Sequence, residues 1–215
     1  MTGGGGQASS GRGQEPSGRG QASSGRGQAT KTRLLDAAAQ LVGEVGWGAV
    51  STRLVAERAG VNPALVHYHF SSVADLLREA VMRTAREMVF QLVDVLSQAA
   101  DVRTGVDTLF GFLRPYTGTD PASLLMVEGF LAATRDDALR AEFATLIEEI
   151  RQRFADWLAA CGHPDPIVSA GVFAALIDGL LLHRAVLPDM DFEAYQRTVT
   201  RMLSAGVPEK RDRHE

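Results

Sequence analysis

The amino-acid sequence predicts an all-α protein, with a short three-helix, helix-turn-helix domain near the N-terminus and a larger helical domain after it. Three observations support this fold class. Apolar residues recur every three or four positions over most of the chain. Capping residues and glycines mark where these segments begin and end. No segment shows the alternation of apolar and polar residues that is typical of a strand.

Composition is that of an ordinary soluble globular protein. The 215 residues are 45% hydrophobic and 22% charged, which is enough for one or two domains with a core. Cys161 is the only cysteine, so a disulfide framework and a multi-cysteine zinc site are both excluded. The N-terminus also lacks the apolar segment of a secretory signal. We therefore expect a cytoplasmic protein.

Charge is distributed unevenly along the chain. Residues 1–78 hold eight Lys/Arg and five Asp/Glu, whereas the remainder holds 14 and 21. A basic front on an acidic body fits a polyanion-binding end joined to a domain with another role. An excess this small also arises by chance.

The first residues contain a seven-residue repeat, "QASSGRG", "QEPSGRG" and "QASSGRG", over residues 7–27. Gly, Ser, Gln and Arg bury too little apolar surface to offset chain entropy, so we expect residues 1–29 to form a disordered tail. The tail is either inert or a mobile arm whose arginines attract phosphates.

The first predicted helix starts near residue 30. Its apolar face has helical spacing and consists of Leu34, Ala38, Leu41, Val42 and Val45. The "GWG" at 46–48 ends this helix. Ser51 is a good N-cap for a second helix, which Gly60 ends.

The third helix starts at Asn62, a favoured N-cap, with Pro63 at the first helical position. Two short helices joined by a turn around Gly60 make a helix-turn-helix, so we assign residues 30–77 to one domain. From Ser71 or Ser72 a longer helix runs to about residue 100.

Residues 78–207 are predicted to form a second helical domain, followed by a charged tail at 208–215. Its further helices are expected at 105–116, 121–133, 137–160, 165–185 and 192–205. The apolar run at 167–182 is short for a membrane span and contains Gly171, Asp178 and Gly179. We interpret it as a buried helix of a soluble protein.

Catalysis and metal binding are not supported by the sequence. His67 and His69 lie two positions apart, about 200° around a helix, and cannot share an ion. Adjacent carboxylate pairs diverge in the same way. No phosphate-binding loop, nucleophile elbow or zinc-protease motif is present. We predict no metal, no cofactor and no enzymatic activity.

Double-stranded DNA is the partner that a helix-turn-helix predicts, because its second helix enters the major groove. Small or apolar groups at the start of the third helix permit close approach to bases, and the groups that follow can reach bases or phosphates. The start of the preceding helix faces the DNA backbone. The candidate DNA-binding residues are Thr52, Arg53, Pro63, Ala64, Leu65, His67, Tyr68 and His69.

The segment "STRLVAERAGVNPALVHYHFSSVADLL" (51–77) resembles the DNA-binding segment of the tetracycline-repressor (TetR) family of bacterial transcription factors, and the resemblance extends back over residues 32–50. The matching features are Ala37, Ala38, Gly46, Ser51, Ala56, Ala59, Gly60, Val61, Phe70, Asp75 and Leu76. The eight candidate residues fall where family members touch operator DNA. His67 stands where relatives usually carry tyrosine, Leu65 at a frequently polar place, and Val73 replaces a common phosphate-contacting lysine.

The resemblance also implies functions for the second domain, namely effector binding and homodimerisation through helices at about 165–185 and 192–205. It implies a repressor that a small molecule releases from DNA, with no membrane partner. A small helical enzyme and a helical adaptor without DNA affinity are the rival classes. Candidate effector contacts, each of which could instead be core or structurally satisfied, are Phe110, Leu113, Met126, Phe130, Trp157, Phe173, Asp178 and His183.

Overall fold

The computed structural model describes residues 18–205 and 207, and this part of the chain is a series of α-helices joined by short turns. No strand occurs among the described residues, which confirms the all-α prediction. The helices are α1 (Gly18–Val45), α2 (Thr52–Ala59), α3 (Pro63–His69), α4 (Val73–Ser97), α5 (Val102–Leu113), α6 (Pro121–Ala133), α7 (Asp137–Ala160), α8 (Pro166–Val186) and α9 (Phe192–Ser204).

Helix α1 begins at Gly18, well before the predicted start near residue 30. The buried face of α1 begins at Leu34, and a Cβ atom at Gly25 or Gly27 would contact nothing, so the N-terminal turns of α1 make no close contact at these two positions. Residues 1–17, 206 and 208–215 lie outside the described residues, and with them most of the repeat and the predicted charged tail.

The turns of the helix-turn-helix form as their capping residues predict. Ser51 Oγ accepts a hydrogen bond from Leu54 N at 3.3 Å, and Asn62 Oδ1 accepts one from Ala64 N at 2.9 Å. Gly60 ends α2 with φ 64° and ψ 40°, a left-handed conformation that glycine adopts without strain. These local signals place α3 directly after α2.

The boundaries in the second domain follow the predicted pattern closely. Helices α6 and α7 have the predicted bounds, and α8 and α9 differ from prediction by single residues. Helix α5 begins earlier than predicted because Asp101 caps it, accepting a hydrogen bond from Thr104 N at 2.8 Å.

Two apolar clusters form the core. The first joins α1–α3 to the start of α4 and to α6 and α7, and it includes Leu34, Val55 and Leu76. The second lies among α5, α7, α8 and α9. Ile150 on α7 packs against both clusters, so the core is continuous from the helix-turn-helix to α9.

Helix α6 contacts the helix-turn-helix domain directly. A Cβ atom at Gly43 of α1 would lie 2.8 Å from the carbonyl oxygen of Pro121, so only glycine permits this approach of α6. Further along α6, Glu128 Oε2 accepts a hydrogen bond at 2.8 Å from the backbone N–H of Trp47, in the turn after α1.

Helix α8 packs mainly against α7 through one face, on which Phe173, Ile177 and Leu180 are buried. The prediction of a buried helix holds for that face only. The opposite face is apolar and open to solvent, at positions that alternate by four and three residues. We call this row the α8 seam, and it comprises Val168, Val172, Ala175, Gly179, Leu182 and Val186. Within the described residues, α8 is also the one helix long and apolar enough to cross a bilayer.

Candidate DNA-binding surface and ligand cavity

Few side chains of α3 are buried, and most of the others are exposed to solvent. Val66 is buried within α3, and Phe70 is buried just after it. Pro63 and Ala64 are exposed, as are Leu65, His67 and Tyr68, whose side chain is 80% accessible. Large side chains such as Leu65 and Tyr68 that are exposed to solvent in the single chain indicate a surface that contacts another molecule.

The aromatic side chains at the end of α3 are packed against one another. The ring of Tyr68 meets that of His69 edge-on, with centroids 5.0 Å apart, and His69 lies 6.4 Å from the Phe70 ring. Lys31 of α1, whose Nζ is 5.5 Å from the Phe70 ring centroid, is a cation beside α3 that the sequence did not reveal. Its charge is paired with Glu79 at 2.7 Å.

The start of α2 carries an available cation. Arg53 is exposed and has no ion pair among the described residues, whereas Arg58 on the same helix binds both carboxylate oxygens of Glu44, at 2.8 and 2.7 Å. Thr52 is half-buried beside Arg53. A free guanidinium at a helix start suits a phosphate contact, because the N–H groups there also attract anions.

A cavity of about 330 Å³ lies among α4, α6, α8 and the loop between α5 and α6. Three of the predicted effector contacts line it: Met126, Phe130 and Asp178. The other lining residues are Met88, Tyr116, Gly118, Ser123, Val127, Leu131, Leu181, Leu182 and Ala185. Sequence reasoning missed these because side chains from four separate segments meet only after folding.

The remaining predicted effector contacts do not line this cavity. Phe110, Leu113 and Trp157 are buried in the second core cluster, where apolar side chains of facing helices pack on one another. Phe173 borders a smaller cavity of about 160 Å³ between α8 and α9. His183 is exposed on α8 and is not among the lining residues.

Asp178 is the electrostatic feature of the larger cavity. It makes no hydrogen bond or ion pair with the described residues, and burial among apolar atoms raises its pKa to about 6. Asp178 is nevertheless exposed in the single chain. A carboxylate on the wall of an open apolar cavity contacts solvent but is hydrated less than a fully free one, so the direction of the pKa shift holds while its effect is reduced.

Other polar groups near this cavity are already engaged. Partial burial opposes ionisation of Asp120, but hydrogen bonds from Ser123 and from Thr117 lower its pKa. Burial and then the charge of Asp120 raise the pKa of Tyr116, so its phenol is neutral. Arg184 turns to the carbonyl oxygens of the α5–α6 connection, with Nη1 2.6 Å from Tyr116 O.

A helix-turn-helix whose second helix is exposed, joined to a helical domain with an open cavity, is the arrangement expected of a DNA-binding regulator that responds to a ligand. Comparison with known families agrees. Residues 34–80 match the family described as "Bacterial regulatory proteins, tetR family", and residues 100–205 match "Tetracyclin repressor-like, C-terminal domain". The chain belongs to the TetR family of transcriptional regulators, and it is not an enzyme.

Individual relatives support the same assignment. The HTH-type transcriptional regulator BetI of Rhizobium meliloti is 29% identical over 158 residues, which span 71% of this chain and 76% of that protein. A structure assigned as a transcriptional regulator of Streptomyces coelicolor A3(2) is 28% identical, with a TM-score of 0.68, and the match covers 81% of this chain and 98% of that one. A regulator from Saccharomonospora viridis, solved in complex with choline, is 21% identical with a TM-score of 0.71, and the match covers 84% and 98%.

Proposed function

We propose that the protein is a repressor that binds operator DNA as a homodimer and leaves it when a small molecule binds in the α4–α6–α8 cavity. The exposed face of α3, in a chain that belongs to the TetR family, supports this proposal most strongly. Arg53 and Thr52 bind phosphates in this proposal. The base-reading positions are the exposed residues of α3, with His67 and Tyr68 reaching furthest. His69, which is half-buried, donates to a phosphate.

Homodimerisation is supported by the α8 seam. Its large side chains are at least 50% exposed in the single chain, which is a contiguous apolar surface of the kind that interfaces cover. Ala175 and Gly179 in the middle of the seam let a second helix approach closely. On α9, Tyr195 and Met202 extend the exposed apolar surface, so α8 and α9 of two copies can form a four-helix bundle.

A second copy fits the seam better than a membrane does. A bilayer requires apolar groups all around a helix, whereas α8 carries Asp178 and Arg184 and already packs on α7 through one face. The protein then acts in the cytoplasm, where operator DNA lies, with no membrane partner.

The cavity is the proposed effector site. Its volume of about 330 Å³ lies at the lower end of the range for small-molecule sites. The choline complex of the Saccharomonospora viridis regulator shows a small molecule bound by a protein of this fold. We therefore place the effector of this chain against Met126, Phe130 and Asp178, and not in the core around Phe110.

Two helices connect the cavity to the DNA-binding domain. On α4, Met88 lines the cavity while Leu76 packs in the core of the helix-turn-helix. On α6, Met126 and Phe130 line the cavity while Glu128 holds the turn after α1. If the effector binds more tightly to a conformation in which α4 and α6 are shifted, its binding increases the population of that conformation. The shift of α4 and α6 then changes the distance between the two copies of α3 in the dimer. Both copies engage DNA only when that spacing matches one helical turn, about 34–36 Å.

A gel-shift assay with the full chain and the DNA upstream of its own gene tests the proposal. We expect a fragment with a palindromic site to be retarded at low salt, and the affinity to fall steeply as salt rises. A scrambled fragment of the same length is the control. A helical adaptor without DNA affinity would retard neither fragment, and that result would refute the proposal.

A further inference from the structure

We infer that the cavity selects a small organic cation with an apolar body, with Asp178 as the counter-charge and the rings of Tyr116 and Phe130 as the contact surface. The inference rests on the proposed function, because it names the chemical class of the molecule bound in the proposed effector site.

The wall of the cavity, in the part of the chain that the structure describes, carries one ionisable carboxylate and no basic side chain. Among the described residues that line the cavity, Asp178 is the only carboxylate, and none is Lys, Arg or His. Tyr116, the one other titratable group on the wall, is neutral at physiological pH. The net charge that the wall presents is therefore negative and is located on a single side chain.

The charge of Asp178 is not neutralised within the described part of the chain. Asp178 lies exposed on the cavity wall and makes no hydrogen bond or ion pair with the described residues. Arg184, on the same helix, is not available. It donates to main-chain carbonyls and stacks at 4.3 Å on the Phe192 ring. A bound cation would satisfy Asp178, whereas a bound anion would be repelled.

Aromatic and thioether side chains on the cavity wall suit the apolar part of a ligand. The Phe130 ring is fixed by stacking on Phe143, with centroids 4.9 Å apart, so it forms a rigid wall. Aromatic faces attract cations as well as apolar groups. The thioethers of Met88 and Met126 adapt to irregular apolar shapes. The wall therefore suits an amine or ammonium group carried on a hydrocarbon or aromatic body.

The competing explanation is that Asp178 pairs with a cation of the second copy. Leu182 belongs both to the cavity wall and to the α8 seam, so a partner copy would lie close to the cavity. In that case Asp178 would stabilise the dimer and would have no preference among ligands. The two explanations predict different effects of neutralising Asp178.

Three probes with one carbon skeleton and different charges test the inference: phenylbutylamine, phenylbutanol and phenylbutyrate. Their binding to the full chain is measured by isothermal titration calorimetry at about pH 8, where the amine is protonated. We expect the amine to bind about tenfold or more tightly than the alcohol, and the carboxylate to bind most weakly. Asp178→Asn should remove the preference for the amine and leave alcohol binding unchanged.

The pH dependence gives a second readout. Protonation of Asp178 at pH values below about 6 removes the counter-charge, so the amine should lose its advantage over the alcohol there. Among the described groups that line or border the cavity, Tyr116 is neutral, Asp120 keeps a lowered pKa, and Arg184 donates to main-chain carbonyls. The neutral alcohol is the control for general effects of pH.

Matched controls separate this inference from the proposed function. Asp94→Asn removes an exposed carboxylate from α4 and should preserve the preference for the amine. An amine that binds no more tightly than the alcohol overturns the inference, while a gel shift of the same sample reports independently on DNA binding. If Asp178→Asn dissociates the dimer, as seen by sedimentation, and the preference persists, Asp178 serves the interface and the inference is wrong.

Discussion

In the proposed function, single residues on α2 and α3 divide DNA binding between charge and base recognition. Arg53 is exposed and has no ion pair among the described residues, and the phosphate contact that we propose for it would be independent of DNA sequence. His67 and Tyr68 carry hydrogen-bonding groups on the exposed face of α3. Leu65 offers only an apolar contact, suited to a thymine methyl. Specificity should therefore depend on very few side chains.

We predict that Arg53→Ala weakens binding to every DNA sequence about equally and reduces the salt dependence, because one phosphate contact is lost. His67→Ala should relax the preference at one base position, by about 1–3 kcal/mol. Fluorescence anisotropy with an operator fragment and its single-base variants measures both effects. If the two variants change the affinity for every fragment equally, His67 does not read bases.

Asp178 gives a stability prediction of defined sign. Its pKa in the folded chain is raised to about 6 from 3.8, so the ionised carboxylate destabilises the fold at neutral pH. Asp178→Asn should raise the free energy of unfolding at pH 7 by about 1 kcal/mol, since partial exposure screens the effect. The gain should shrink as pH falls from about 6 to 4.

Urea denaturation at several pH values measures this gain, with Asp94→Asn as the control. A gain that is constant with pH would contradict the assigned environment of Asp178.

The residues of the two sites were not equally predictable from the sequence. The DNA-binding candidates lie on two adjacent short helices, and the caps at Ser51 and Asn62 fix where those helices begin. The cavity wall draws on four segments distant in sequence, and nothing local distinguishes Phe130, which lines it, from Phe110, which fills the core. The same apolar residue types fill a core and line a cavity, so residue type alone does not predict which of the two a side chain joins.

At the scale of elements, α6 connects the cavity directly to the helix-turn-helix. One side of α6 presents Met126 and Phe130 to the cavity, and Glu128 accepts the Trp47 N–H. The close approach at Gly43 fixes the N-terminal end of α6 against α1. A displacement of α6 therefore reaches the turn that precedes α2.

We predict that Glu128→Ala lowers the free energy of unfolding by about 1 kcal/mol, because the Trp47 N–H loses its acceptor. Operator affinity should change as well, whereas Glu128→Gln should behave like the native chain because its amide oxygen still accepts. Urea denaturation and anisotropy are the measurements. Glu149→Ala, which removes an exposed carboxylate from α7, is the matched control. Equal effects of Glu128→Ala and Glu149→Ala would exclude this link.

Element boundaries were predicted well where capping residues are strong, and less well where helix growth depends on context. Asn62 and Pro63 define the start of α3. The start of α1 was predicted too late, because a composition rich in Gly and Ser disfavours a helix.

At the scale of the whole molecule, the proposed function requires a second copy of the chain, which would cover the exposed α8 seam. We predict that Ala175→Glu, which places a charge in the centre of the seam, converts the dimer to a monomer. DNA affinity should then fall about 100-fold or more, because the two reading helices no longer bind together.

Analytical ultracentrifugation measures the oligomeric state. Ala159→Glu makes the same change at an exposed position of α7 and is the control. A dimer that survives Ala175→Glu unchanged would show that the α8 seam is not the interface.

The central claim is that two copies of α3, held at a fixed spacing, read operator DNA. Hydroxyl-radical footprinting of the full chain on the DNA upstream of its own gene tests this claim most directly. We predict two protected half-sites related by a two-fold axis, with centres about 10–10.5 base pairs apart or a multiple of that. A single protected site, or uniform protection without a preferred position, would contradict the claim.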